Sequence, residues 1–103
     1  MNSYREGGPN MSDHIRAHLI ITGRVQGVCF RMETMQAAQR HNTNGWVRNL
    51  PDRSVEALLE GPAEAVNQTI EWCRHGPPHS RVENVQVQWE DYQGEFNRFS
   101  ITY

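Results

Sequence analysis

The chain has 103 residues, 37% of them hydrophobic and 21% charged, with a formal net charge of −2. That length suits one domain around a modest core, and that charge argues against a general nucleic-acid coat. All ten basic residues are arginine, which removes a P-loop lysine and a Schiff-base lysine from consideration.

The two cysteines, Cys29 and Cys73, have no close spacing and read as reduced thiols of a cytoplasmic protein. No apolar run approaches membrane-spanning length, so no membrane association is expected, and no signal peptide is visible.

Met1 to Asp13 is polar, contains Gly7-Gly8-Pro9, and is predicted to be a disordered tail; Met11 is an alternative start. The folded domain is expected over residues 14–103. Ile15 to Thr22 is the first predicted strand. Ala17, Leu19 and Ile21 share one face and His18, Ile20 and Thr22 the other, a pattern that suits a central strand. Phe30 to His41 is the first helix. Its stripe is Phe30, Thr34, Ala37, Ala38 and His41, and Asn42 is a left-handed stop. Gly45 to Leu50 and Val55 to Glu60 form a hairpin about the turn Pro51-Asp52-Arg53-Ser54. Pro62 is placed in the first turn of a second helix, Ala63 to His75. That helix buries Val66, Thr69, Ile70 and Cys73 and stops at Gly76-Pro77-Pro78. Val82 to Trp89 is a strand with one wet face, and a short strand ends near Thr102. Trp46, Trp72 and Trp89 are expected in the core or at its edge. Glu90-Asp91 is read as solvated loop charge.

The order β-α-β-β-α-β plus a short final strand is the ferredoxin-like α+β plan: an antiparallel sheet with two helices on one face. A right-handed crossover makes the first two strands parallel, with the third between them. Their carboxyl ends then lie at one edge of the sheet. At that edge Gly23 to Arg31 joins strand to helix by a glycine-bracketed turn. Unpaired N–H groups at such a turn suit an anion, phosphate above all. Arg31 adds a planar fork that matches two phosphate oxygens. Asn49 shares a face with Val47. If Val47 faces the helices, Asn49 leans toward Arg31.

Gly23-Arg24-Val25-Gln26-Gly27-Val28-Cys29-Phe30-Arg31, together with Gly45-Trp46-Val47-Arg48-Asn49, resembles the acylphosphatase family. The similarity runs from about Ile15 to Tyr103. It implies hydrolysis of carboxyl–phosphate anhydrides without a cofactor, a metal or a covalent intermediate. It assigns the catalytic arginine to Arg31 and the catalytic, water-orienting asparagine to Asn49. It assigns the phosphate cradle to the backbone N–H groups of Gln26, Gly27, Val28, Cys29, Phe30 and Arg31. The expected partner is a small-molecule acyl phosphate, with no nucleic acid, and the expected state is a monomer. Three positions depart from glycines that the family often carries: Cys29, Asn42 and Arg53.

Arg24, Arg48 and Arg53 could add positive potential at the mouth, but a solvated surface role serves each as well. Cys73, His75 and His79 are close in sequence, yet Gly76-Pro77-Pro78 works against their convergence on a metal. Two rivals use the same plan. One is a noncatalytic module binding a phosphorylated small molecule or RNA; RNA stacking needs aromatics on a central strand, and Val55 to Glu60 has none. The other is a carbamoyl-phosphate site within a larger maturation protein, against which the absence of a further domain is expected to count.

Overall fold

The computed structural model describes residues 13–103; the rest of the expected tail, Met1 to Ser12, lies outside the described residues. Alternation in the first strand decides the layers. Ala17, Leu19 and Ile21 are fully buried, while His18, Ile20 and Thr22 are only partly covered. The elements are β1 (His14–Arg24), α1 (Phe30–Arg40), β2 (Asn44–Asn49), β3 (Val55–Pro62), α2 (Ala63–His75), β4 (Arg81–Glu90) and β5 (Phe99–Ile101). Asp13, placed with the tail by sequence, accepts a hydrogen bond from the Ala63 N–H at 3.0 Å. Pro62 precedes α2 as its N-cap instead of opening its first turn. His41 follows α1 as its C-cap and is half-buried, so the helix stripe ends at Ala38.

The sheet order is β4-β1-β3-β2-β5. β3 lies antiparallel between β1 and β2, as the crossover argument requires. The sheet is nevertheless mixed, because β5 pairs parallel to β2. The connection from β4 to β5 must pass from one edge of the sheet to the other, and on arrival the chain runs alongside β2. Both helices pack on the face that carries Ala17, Leu19, Ile21, Val47, Val55, Ala57 and Leu59. Phe30 and Trp72 join the two helices with ring centroids 5.8 Å apart.

The other face is polar and internally paired. His18 Nε2 donates to Glu56 at 2.6 Å, and Arg48 also donates to Glu56 while its guanidinium lies 5.4 Å from the Trp46 ring. Burial alone would raise the Glu56 carboxyl, but these two donors hold it below its ordinary value. Glu60 is only 1% exposed. Its carboxylate accepts the Gln93 N–H at 2.8 Å, the Gly94 and Glu95 N–H groups at 3.2 Å each, and Arg16 at 3.3 Å. This carboxylate therefore anchors the connection that carries the chain from β4 toward β5. Glu90 is likewise not a free loop charge: Arg16 donates to it at 3.0 Å. Trp89 is 55% exposed. It pairs with buried Ala17 in register, yet β4 is an edge strand and leaves its own last residues open.

Three non-glycine residues among those described have positive φ: Cys29 at 61°, Asn42 at 55° and Arg53 at 77°. These are the three departures from glycine noted in the sequence. Asparagine tolerates this conformation, but arginine has no comparable local hydrogen bond to offset the Cβ crowding. Arg53→Gly should therefore raise stability by about 0.5–1 kcal/mol, after the extra unfolded-state entropy of glycine is subtracted from the relieved strain. Urea unfolding measures this, and an unchanged or lower midpoint would show that Arg53 is not strained.

Candidate active site

The loop from Val25 to Cys29 leaves β1 beyond a register shift at Thr22/Gly23. At Gly23 a Cβ would run into the Arg81 carbonyl oxygen, so only glycine lets β4 stay this close. Beyond it the backbone alternates. Gly27 (74°) and Cys29 (61°) have positive φ, and Gln26, Val28 and Phe30 do not. Such alternation turns successive N–H groups toward one side and forms a concave anion nest. The nest runs directly into α1. Glu33 N–H closes the first helical bond on the Cys29 carbonyl at 3.0 Å, and no side chain caps the helix start. The first helical N–H groups thus remain free for a ligand, with the positive end of the helix dipole behind them.

A cavity of about 400 Å³ opens over this nest. Its lining contains Gln26, Gly27, Cys29, Phe30, Arg31 and Asn49, so Arg31 and Asn49, separated by a helix in sequence, meet at one sheet edge. Val47 is fully buried on the helix side, and Asn49, two residues on, shares that side as expected. The Asn49 Oδ1 atom is buried with no hydrogen-bond partner. An unpartnered buried acceptor of this kind is costly, and it belongs to a residue that lines the cavity. Among the described residues no carboxylate pairs with Arg31; its guanidinium carbon lies 5.3 Å from the Tyr103 ring centroid. No lining residue is acidic. An unpaired guanidinium and a nest of N–H groups, with no acid between them, make a strongly anion-attracting pocket. Val28, expected in the cradle, is half-buried and packs against the core, so its side chain points away and only its backbone is available.

Sequence reasoning missed four lining residues: Val25, Met32, Ile101 and Tyr103. β5 brings the last two. Val47 pairs with Ile101, and the Thr102 N–H donates to the Val47 carbonyl at 2.8 Å, which carries Tyr103 to the site. The short alternating run at the end of the chain was the available signal, but its partner strand was not legible. It also missed the Gln26 side chain, whose Nε2 donates to the carbonyls of Leu50 and Ser54 at 2.9 Å each. Arg48 is spent on Glu56 on the opposite face, while Arg24 and Arg53 are exposed and outside the lining. Cys73 is sealed in the core, where burial pushes its thiol up to about 12, and His75 and His79 are exposed, so the three do not converge.

The acylphosphatase family model matches residues 17–101. An acylphosphatase of Pyrobaculum arsenaticum is 58% identical over 87 residues, covering 84% of this chain and 92% of that protein. The crystal structure of acylphosphatase from Bacillus subtilis superposes with a TM-score of 0.83 at 37% identity, over 86% of this chain and 99% of that one. Full-length HypF, in a phosphate- and nucleotide-bound crystal structure, contains a similar unit: 96% of this chain matches 13% of it, with a TM-score of 0.77 and 25% identity. Since the family match takes in both the nest and the strand bearing Asn49, and the relatives agree along nearly their whole length, the chain belongs to the acylphosphatase family.

Proposed function

We propose that this acylphosphatase splits the carboxyl–phosphate anhydride with Arg31 and the nest amides on the phosphate and Asn49 on the water. The observation that carries this reading is the shared cavity. It joins an unpaired arginine, free helix-start N–H groups and Asn49 at one sheet edge.

An acyl phosphate already has a good leaving group. Its hydrolysis to a carboxylate and inorganic phosphate needs a positioned water and stabilisation of charge on the phosphoryl oxygens. Arg31 supplies a bidentate fork to two of those oxygens. The N–H groups from Gln26 to Arg31 take the rest, fixed in place before the reaction and so free of reorganisation cost. Asn49 offers a neutral carbonyl acceptor and an amide donor that can orient the attacking water by hydrogen bonds without repelling the phosphate, as a carboxylate would. The carbon-rich remainder of the lining, Val25, Met32, Ile101 and Tyr103, is left for the acyl group.

The same residues support metal-independent chemistry, because phosphate charge is met by nitrogen donors and the lining has no Asp or Glu side chain for a hard cation. Free thiols at Cys29 and Cys73 support a reducing, cytoplasmic setting. The ion pairs that occupy the helix-free face of β3 support the reading without nucleic acid, since no aromatic of that strand is available for stacking.

Purified protein pretreated with a chelator should release phosphate from benzoyl phosphate and acetyl phosphate; phosphate release at the uncatalysed rate would overturn the reading. Arg31→Lys should lower kcat/KM by on the order of 10²–10³-fold and weaken competitive inhibition by inorganic phosphate, since a point charge cannot replace the fork. Near-normal kinetics would remove Arg31 from the site. Asn49→Ala should lower kcat by on the order of 10²-fold with little change in KM. A change confined to KM would make Asn49 a binding residue instead of the water's guide.

A further inference from the structure

The anion nest and Asn49 belong to different elements. Ile21 and Asn49 both pair with Val55 of β3, so the ladder sets where β1 and β2 end, but the loop beyond Arg24 lies outside it. For a water held by Asn49 to meet a phosphorus held by the nest, the two must keep one separation to within about 0.5 Å. Among the described residues, the Gln26 side chain spans the gap. Its Nε2 donates to the Leu50 carbonyl and the Ser54 carbonyl, both at 2.9 Å. Leu50 directly follows Asn49.

The hairpin turn is built to receive this amide. The Leu50 N–H donates to the Ser54 carbonyl at 2.9 Å, and the Arg53 N–H donates to the Leu50 carbonyl at 3.1 Å. Asp52 Oδ1 accepts the Ser54 N–H at 3.0 Å. Left-handed Arg53 closes the turn between the two carbonyls that face Gln26. Each carbonyl has a second lone pair, and a primary amide has two N–H groups on one nitrogen. With both donors engaged by the hairpin, the side chain is not free to bind phosphate, although the cavity touches it.

We propose that Gln26 is a positioning residue for hydrolysis: its side-chain amide clamps the phosphate nest to the hairpin and so sets the placement of Asn49 against the bound phosphate. This rests on the reading of Asn49 as the guide of the attacking water. The backbone N–H of Gln26 serves the phosphate, and its side chain serves Asn49. Glutamate has the same length but faces two carbonyl oxygens without a donor. Methionine fills the same space with no hydrogen bond. Neither variant alters the alternation of φ that makes the nest.

The test is a double-mutant cycle on benzoyl phosphate, with inorganic phosphate as competitive inhibitor. Gln26→Met should lower kcat about tenfold and leave the inhibition constant of phosphate within about twofold. In an Asn49→Ala background the same change should lower kcat less than about twofold, because the residue being positioned is already gone. Equal losses in both backgrounds, an unchanged kcat, or a loss seen mainly in phosphate affinity would each overturn the proposal. Should Gln26→Met fail to fold, Gln26→Glu decides. Its kcat relative to wild type should recover as the pH falls and the carboxyl regains one donor; a pH-independent ratio would overturn the proposal. Failure of the underlying reading shows separately, as an Asn49→Ala single variant with normal kcat.

Discussion

A phosphate can be gripped by consecutive backbone N–H groups only where the chain reverses the sign of φ at every second residue. The rest of this structure depends on that requirement being met between β1 and α1. Gly27 meets it at little conformational cost, and Cys29 meets it with a Cβ in a region that L-residues rarely occupy. The strain at Cys29 is sustained from both sides. Phe30, next along, is anchored in the core against Trp72, and Val28, just before, packs on the same core. The side chains bury while the amides turn outward. Apolar packing on alternate residues therefore holds open a polar nest that would otherwise relax.

Charge placement separates the two faces of the sheet. On the helix-free face the acids are matched: Glu56 with His18 and Arg48, Glu90 with Arg16, and Glu60 with Arg16 and three backbone N–H groups. At the carboxyl edge of β1 and β2 the opposite holds, and Arg31 has no acidic partner among the described residues. With a net charge of −2 the whole chain would not attract an anion over long range. The pocket can do so at short range because its positive charge is unspent and lies in a half-enclosed site where screening is weaker.

How much of this was legible follows from where each signal resides. Period-2 and period-3.6 patterns placed every element, and α2 emerges with the bounds read from the sequence, because Pro62 and Gly76 punctuate it on both sides. The juxtaposition of Arg31 and Asn49 was legible because it needs only the crossover hand and the parity of β2. Trp89 was misplaced because alternation reports which face a residue takes, not whether a helix reaches far enough to cover it. The parallel β5 was missed because strand direction there depends on a connection pinned by Glu60. The interaction joins residue 60 to residues 93–95, and no local pattern encodes it. Gln26 was noticed for its backbone, since a side-chain amide leaves no periodic trace.

The missed features share a physical origin and bear on the same geometry. Glu60 anchors the connection that delivers β5 beside β2, so Ile101 and Tyr103 arrive next to Asn49. Gln26 fixes the other flank of Asn49 through Leu50. Asn49 is the last residue of β2, where ladder hydrogen bonding ends and fraying would ordinarily begin. Here β5 pairs with β2 as far as Val47, Val55 of β3 pairs with Asn49 itself, and the Gln26 amide holds the next residue, Leu50, so the terminus loses that freedom. The Asn49 oxygen, buried without a partner, stays so only where the backbone beneath it is over-determined. The site thus combines two kinds of order. The nest is set by local φ alternation within nine residues of sequence, and the asparagine is set by long-range contacts, so substitutions far from the phosphate can disturb water placement while leaving phosphate binding intact.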